Sequence, residues 1–278
     1  MSLAGTTSAT NLLSHCRAVT NQSFDPKQTT MADFRKHWDV VVTQVLQAVS
    51  SAAATAAASS SSTSLSTTIP IAEQWLHRLW TLHTESTRHY HTVVHLQEML
   101  EYWSVLRHAL QLANTKQEPM IILSIYFHDA IYDPHSGTNE EDSEALWQTF
   151  AQEVRLNDQN LIDRVSQFIL ATKQHKAMPD DDKIESDDAA ALALFLDLDL
   201  AVLAKAPEAY MAYAALIRQE YHFVPAEIYC TKRAEILQGM AAQERLFGSP
   251  VFRPWQDRAR QNVQQEVALL QQGQIPAS

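Results

Sequence analysis

The sequence predicts an all-α fold, a single domain of about nine helices. Only five of 278 residues are glycine, while Ala, Leu, Gln and Glu are plentiful, so intrinsic propensity favours helix along the whole chain. Apolar residues recur at spacings of three and four in one segment after another. No stretch carries a convincing strand alternation, hairpin turn or internal repeat. The length allows one or two domains and ample buried core. A net charge of −11, with twelve histidines counted neutral, repels nucleic acid and anionic lipid, and no long basic run compensates. Neither a nucleic-acid polymer nor a membrane is therefore expected as a partner. Cys16 and Cys230 make no disulfide framework, which fits a reducing, cytoplasmic setting. Oligomeric state is not legible.

Residues 1–30 are rich in Ser, Thr and Asn without sustained periodicity, so they read as a mobile extension. They are poor in acids and carry Arg17, which leaves an organelle transit peptide open, though they hold little Arg. The folded domain is expected over 31–278. Phe34 to Ala48 puts Phe34, Trp38, Val41, Val42, Val45 and Leu46 on one helical face. The tract 50–68, nearly all Ser, Ala and Thr, has nothing large to bury and reads as a flexible insertion within that domain.

Helical patterning resumes at Pro70 and runs through Trp75, Leu79 and Leu82. Arg88-His-Tyr-His-Thr-Val-Val-His95 follows and leads into Leu96, Met99, Leu100, Trp103 and Leu106. His91 and His95 stand i, i+4, a spacing that presents two imidazoles on one helix face; the bland alternative is a polar stripe that also takes in His83 and His89. Met120 to Phe127 is an apolar helical run ending in His128-Asp129, and Asp133-Pro-His-Ser-Gly137 makes a turn. A nitrogen and an oxygen ligand side by side suit a borderline divalent metal. Asn139-Glu-Glu-Asp-Ser-Glu144 opens the next helix, with Thr138 or Asn139 as cap and acids in the first turn.

Leu161 to His175 is amphipathic, and 179–183 reads as a solvated loop. Ser186 to Ala204 is a buried helix that carries Asp197 and Asp199 among leucines. A buried carboxylate needs a cation or several hydrogen bonds. These two lie about 200° apart on a helix, so one ion does not take both. Further helices are expected from Pro207 to Tyr221, Pro225 to Leu246 and Phe252 to Leu270.

Two imidazoles and two carboxylates drawn from different helices form a mixed set for Mn, Fe, Co, Ni, Zn or, less often, Mg. The order of RHYHTVVH (88–95), FHDAIYDP (127–134), NEEDSE (139–144), ATKQH (171–175), FLDLDLAVL (195–203), YAALIRQEY (213–221) and ARQN (259–262) resembles the HD-domain superfamily. The closer likeness is to a bacterial-type branch described as predicted metal-dependent HD phosphohydrolases. It runs from about Phe34 to Leu270. The first 30 residues and the Ser/Ala tract stand outside its pattern, and Ala204 stands where Gly is expected.

The resemblance implies a metal held by His95, His128, Asp129 and Asp199. His91 then touches a ligand or the substrate, or exchanges roles with His95. Asp197 is the alternative to Asp199, the other one orienting a ligand imidazole. It implies hydrolysis of a small phosphate ester or anhydride, a nucleotide by default, in which the ion activates water. Asp133, placed i+4 from Asp129, handles a proton or only caps its turn. Arg88, Lys173 and Arg218 are the candidates to hold phosphate, Lys173 more as an ion-pair partner. Two rivals remain. If His91 and His175 bind a second ion, the site becomes a di-iron oxygenase centre. A non-catalytic nucleotide-binding regulatory module would keep the pocket without the reaction.

Overall fold

The computed structural model describes residues 29–56, 62–175 and 186–276. Among them are ten α-helices, two short 3-10 helices and no strand, against the expected all-α fold of about nine helices. The helices are α1 (Met31–Ala56), α2 (Ser62–His83), α3 (Val93–Ala109), α4 (Gln117–Phe127) and α5 (Asn139–Glu153). They continue as α6 (Gln159–Ala171), α7 (Ser186–Asp199), α8 (Pro207–Glu220), α9 (Ala226–Ala241) and α10 (Gln256–Gln271). The 3-10 helices are Leu200–Ala204 and Arg253–Trp255. No helix of the described residues is long and apolar enough to cross a membrane.

The Ser/Ala tract departs from expectation. It contains neither Gly nor Pro before Pro70, so nothing in it stops a helix, and α1 runs on to Ala56 while α2 begins at Ser62. Pro70 lies inside α2 and is not its start. The expectations for the first 28 residues and for the 179–183 loop fall outside the described residues.

α4 is the axis. Every residue from Gln117 to Phe127 except Pro119 is buried, and α1, α3, α5, α6 and α7 pack around it. An apolar helix buried all round needs this kind of cover. Its aromatic surroundings are dense: Phe127 lies with ring centroids 5.3 Å from Trp147, 5.2 Å from Phe150 and 6.1 Å from Trp75. Three polar tips are satisfied, since Tyr126 donates to the Phe34 carbonyl, Trp147 to the Ile162 carbonyl and Trp75 to Glu153. α8, α9 and α10 form a second group, in which α10 packs on α9, on α8 and on the 3-10 segment after α7. Asn262 ties that segment down by donating to the Leu203 and Lys205 carbonyls at 2.9 Å each.

His37 on α1 illustrates a buried imidazole with a structural role. It is 4 % exposed, and its Nε2 sits 3.2 Å from the Ser104 hydroxyl on α3. Burial, helped by Lys36 and Arg107, pushes its pKa down to about 4 from 6.5. The neutral form is thus favoured on folding. The stability it contributes is complete above pH 6.5 and is lost as the pH falls towards 4. Between pH 7 and 4.5 the chain should lose about 2–3 kcal/mol more than a His37→Gln variant, since one pKa unit corresponds to about 1.4 kcal/mol. Urea unfolding of both chains at the two pH values measures this. Parallel losses would refute it.

Candidate metal centre

α4 stops at Phe127, and the chain turns immediately: the His128 N–H still reaches the Ser124 carbonyl at 2.9 Å, but Asp129 is already outside the helix. Three side chains then fix the loop. Buried Arg88 donates to the carbonyls of Asp129 at 2.6 Å, Ala130 at 2.9 Å and His91 at 3.1 Å. Asn139 accepts from the Asp133 N–H at 3.0 Å and donates to the Asp133 carbonyl at 2.9 Å. Ser143 accepts from the Ile131 N–H at 3.0 Å. The motif 139–144 therefore does more than cap α5, because it holds the turn that carries Asp129.

His95 from α3, His128 from the end of α4 and Asp199 from the end of α7 converge, with one ligand atom of each lying within 4.8 Å of the others. His95 Nε2 is 3.0 Å from Asp199 Oδ1 and 3.4 Å from His128 Nε2, and His128 Nε2 is 3.7 Å from Asp199 Oδ1. An ion bound at about 2.1 Å puts neighbouring ligands about 3.0–3.4 Å apart in octahedral or tetrahedral geometry, so the spacing suits a small divalent metal. Asp129 Oδ2 adjoins both imidazoles, at 3.1 Å from His128 and 3.9 Å from His95. His128 Nδ1 faces the Ile125 carbonyl at 3.0 Å, which keeps the proton on that nitrogen and turns the Nε2 lone pair to the cluster. These residues could hold a metal ion. Burial would raise both carboxyls, but the imidazoles beside them hold Asp129 and Asp199 below the usual range.

His175 reaches the other oxygen of Asp199, Nε2 to Oδ2 at 3.0 Å, from a left-handed backbone with φ 46°. A non-glycine residue pays strain there, and the contact with Asp199 is what its position provides.

Several expected placements differ. His91 and His95 do not share a helix face, because Thr92 caps α3 and His91 lies in the turn before it. There His91 Nδ1 meets Glu220 Oε2 at 2.7 Å, and its ring stacks on Tyr132 with centroids 4.2 Å apart. Glu220 is saturated. Oε1 accepts the N–H groups of His89, Tyr90 and His91 at 2.8, 2.8 and 3.0 Å, and Oε2 also accepts from the Tyr132 hydroxyl at 2.9 Å. Burial opposes its charge, but His91 and these donors outweigh it and bring its pKa down to about 2. The same carboxylate moves the His91 pKa up against burial.

Asp197 points away from the cluster. Its carboxylate accepts from the Gly248 and Ser249 N–H groups at 2.8 and 2.7 Å and orients no imidazole. Burial pushes its pKa up to about 7 despite those bonds. Gly248 suits the close approach, as a Cβ there would lie 3.2 Å from the Ala193 Cβ.

Asp133 is exposed and off any shared face with Asp129, since α4 has ended; it caps its turn by accepting from the His135 N–H at 2.9 Å. Arg88 is spent on the backbone carbonyls just named. Arg218 donates to the Tyr221 and Val224 carbonyls at 2.7 and 3.0 Å and lies over the Tyr229 ring. Neither Arg88 nor Arg218 lines the cavity above the cluster. Lys173 does, while pairing with Glu141 and the Gly137 carbonyl.

That cavity, of about 450 Å³, is lined by Asp129, Asp199, His91 and His175. Its lining also takes in Tyr90, Tyr132, Tyr213 and Tyr221, together with Arg233, Ile236, Leu237 and Met240 from one face of α9. A larger cavity, about 860 Å³, shares His175 and Lys173 but includes none of His95, His128 and Asp199. Sequence reasoning missed Glu220 and Arg233. Glu220 lies inside the motif YAALIRQEY (213–221), which gave it no role, and Arg233 carried no signal. No family model, curated protein or solved structure matches the chain.

Proposed function

We propose that the chain is a metal-dependent phosphohydrolase acting on a small phosphate ester or anhydride, with nucleotides the first class to test. The observation that supports it best is the meeting of an N/O donor cluster with the His91–Glu220 pair at one cavity. The metal set in this reading is His95, His128, Asp129 and Asp199, in accord with the HD resemblance. The chemistry that an ion supplies there is Lewis acidity, which acidifies water and polarises a phosphoryl oxygen.

The rest falls to side chains. His128 is oriented by the Ile125 carbonyl of α4, and Arg88, Asn139 and Ser143 keep the Asp129 turn in register. His91 is the general acid: Glu220 holds Nδ1, so Nε2 can give its proton to the leaving oxygen as the P–O bond breaks. Glu220 is a positioning residue that fixes the tautomer and orientation of His91.

Phosphate release should be measured from nucleoside mono-, di- and triphosphates and a chromogenic phosphomonoester, with the chain loaded in turn with Mn, Co, Ni, Zn, Fe and Mg. Glu220→Gln should lower kcat about 100-fold, with KM and metal content nearly unchanged. Absence of release under every metal would overturn the hydrolase reading.

One observation favours a second reading. Asp199 turns Oδ1 to His95 and Oδ2 to His175, so with His175 it could supply donors to a second ion as well as to the first. Two irons per chain with substrate-dependent oxygen uptake would move the assignment to di-iron oxygenation; one ion per chain would exclude it.

A further inference from the structure

We infer that Arg233 is the anion receptor of this cavity, binding non-bridging oxygens of a substrate phosphoryl group in the space it shares with the His/Asp cluster. The inference rests on the reading that the substrate is a phosphate. It names a residue that no motif marked.

The lining is short of positive charge. Asp129, Asp199 and Glu140 bring carboxylates to it, and a phosphate entering among them needs a counter-charge besides the metal. Of the two Lys or Arg side chains in the lining, Lys173 is 40 % exposed and committed to Glu141 and Gly137. Arg233 is 13 % exposed and held from behind. Its Nε donates to Glu266 Oε1 at 3.0 Å, and Nη2 lies 3.4 Å from both Glu266 Oε2 and the Tyr213 hydroxyl. Glu266 is itself fully buried and also accepts from the Tyr210 hydroxyl at 2.5 Å. Nη1 makes no hydrogen bond to the described residues. A guanidinium pinned along one edge keeps another for a ligand, and its planar fork matches two phosphate oxygens.

The guanidinium is also joined to the metal cluster through packed rings. The Tyr213 ring lies 4.6 Å from that of Tyr90, which lies 4.9 Å from that of His95. The Tyr90 hydroxyl is buried without a hydrogen-bond partner, a further donor in this lining. Beyond Arg233, the α9 face becomes aliphatic through Ile236, Leu237 and Met240, so the phosphate end and the apolar end of a substrate are separated along one helix.

The test is calorimetric titration of inorganic phosphate into the metal-loaded chain, freed of excess metal. Arg233→Gln alone would strand buried Glu266, so the working variant pairs it with Glu266→Gln, beside Arg233→Lys as a charge-keeping control. The double variant should bind phosphate at least about 10-fold more weakly, and Arg233→Lys should fall between. Metal content and melting temperature should match the unaltered chain.

Equal affinity in a folded, metal-loaded double variant would overturn the inference while leaving the hydrolase reading intact. No detectable phosphate binding to the unaltered chain would overturn it too. Weakened binding in the variant, together with no phosphate release from any ester by the unaltered chain, would uphold Arg233 and discard the hydrolase reading.

Discussion

Replacing His128 by Ala is expected to strip the chain of bound metal while leaving it folded. His128 is the most central donor, since its Nε2 lies within 3.7 Å of His95, Asp129 and Asp199 donor atoms alike. The Nδ1 contact with Ile125 pre-orients the ring, so its loss removes both a ligand and the rigidity that aims it. Disturbing only the groups that support a ligand typically weakens metal binding 10–100-fold, so loss of the ligand itself should exceed about 100-fold. Asp199→Ala should behave likewise, and Asp199→Ala with His175→Ala no worse than Asp199→Ala alone if one ion binds. Metal bound per chain, read by elemental analysis after competition with a chelator, measures both. Full occupancy in the His128→Ala chain would remove this cluster as the metal centre.

Asp197→Ala should show the opposite pattern, a large loss of stability with metal binding intact. The carboxylate is 2 % exposed and is the acceptor for two backbone N–H groups in the turn between α9 and the 3-10 helix 253–255. Truncation leaves the buried Ser249 N–H unpaired, at a cost of about 1–3 kcal/mol, while the exposed Gly248 N–H turns to water. For a chain of this size, that corresponds to a melting temperature lower by about 3–9 °C. Asp199→Ala, compared in chelator, should melt closer to the unaltered chain, because the Asp199 carboxylate borders the cavity and accepts from side chains and from no backbone N–H among the described residues. The pair of variants thus separates two aspartates only two positions apart. Equal melting temperatures, or loss of metal in Asp197→Ala, would refute the division.

Much of the fold was legible because helix formation is local. The low glycine content and the three-and-four spacing of large apolar residues marked nearly every helix, and α4 stood out as an unbroken apolar run. Boundaries failed where local signals were weak. Apart from Leu65 the Ser/Ala tract has no large apolar residue, and it has no breaker, so its pattern predicted a loop although α1 and α2 extend into it. The i, i+4 reading of His91 and His95 failed for a related reason. Glu220 gathers three consecutive N–H groups at 89–91, and that long-range acceptor holds the chain in a turn where spacing alone suggested helix.

By itself, the sequence determined the class of the molecule and the chemistry it carries: an all-α chain with imidazoles and carboxylates where an apolar core would otherwise continue. It also determined that Asp197 and Asp199 face opposite ways, since two helical positions subtend about 200°. Only the tertiary structure decided which of them meets His95 and His128, and that Arg88 and Arg218 hold backbone while Arg233 faces the cavity. The physical reason is range. Period and propensity act between residues a few positions apart, whereas the partner of a buried charge is chosen by the crossing of helices, here α8 against the turn before α3 and α9 against α10.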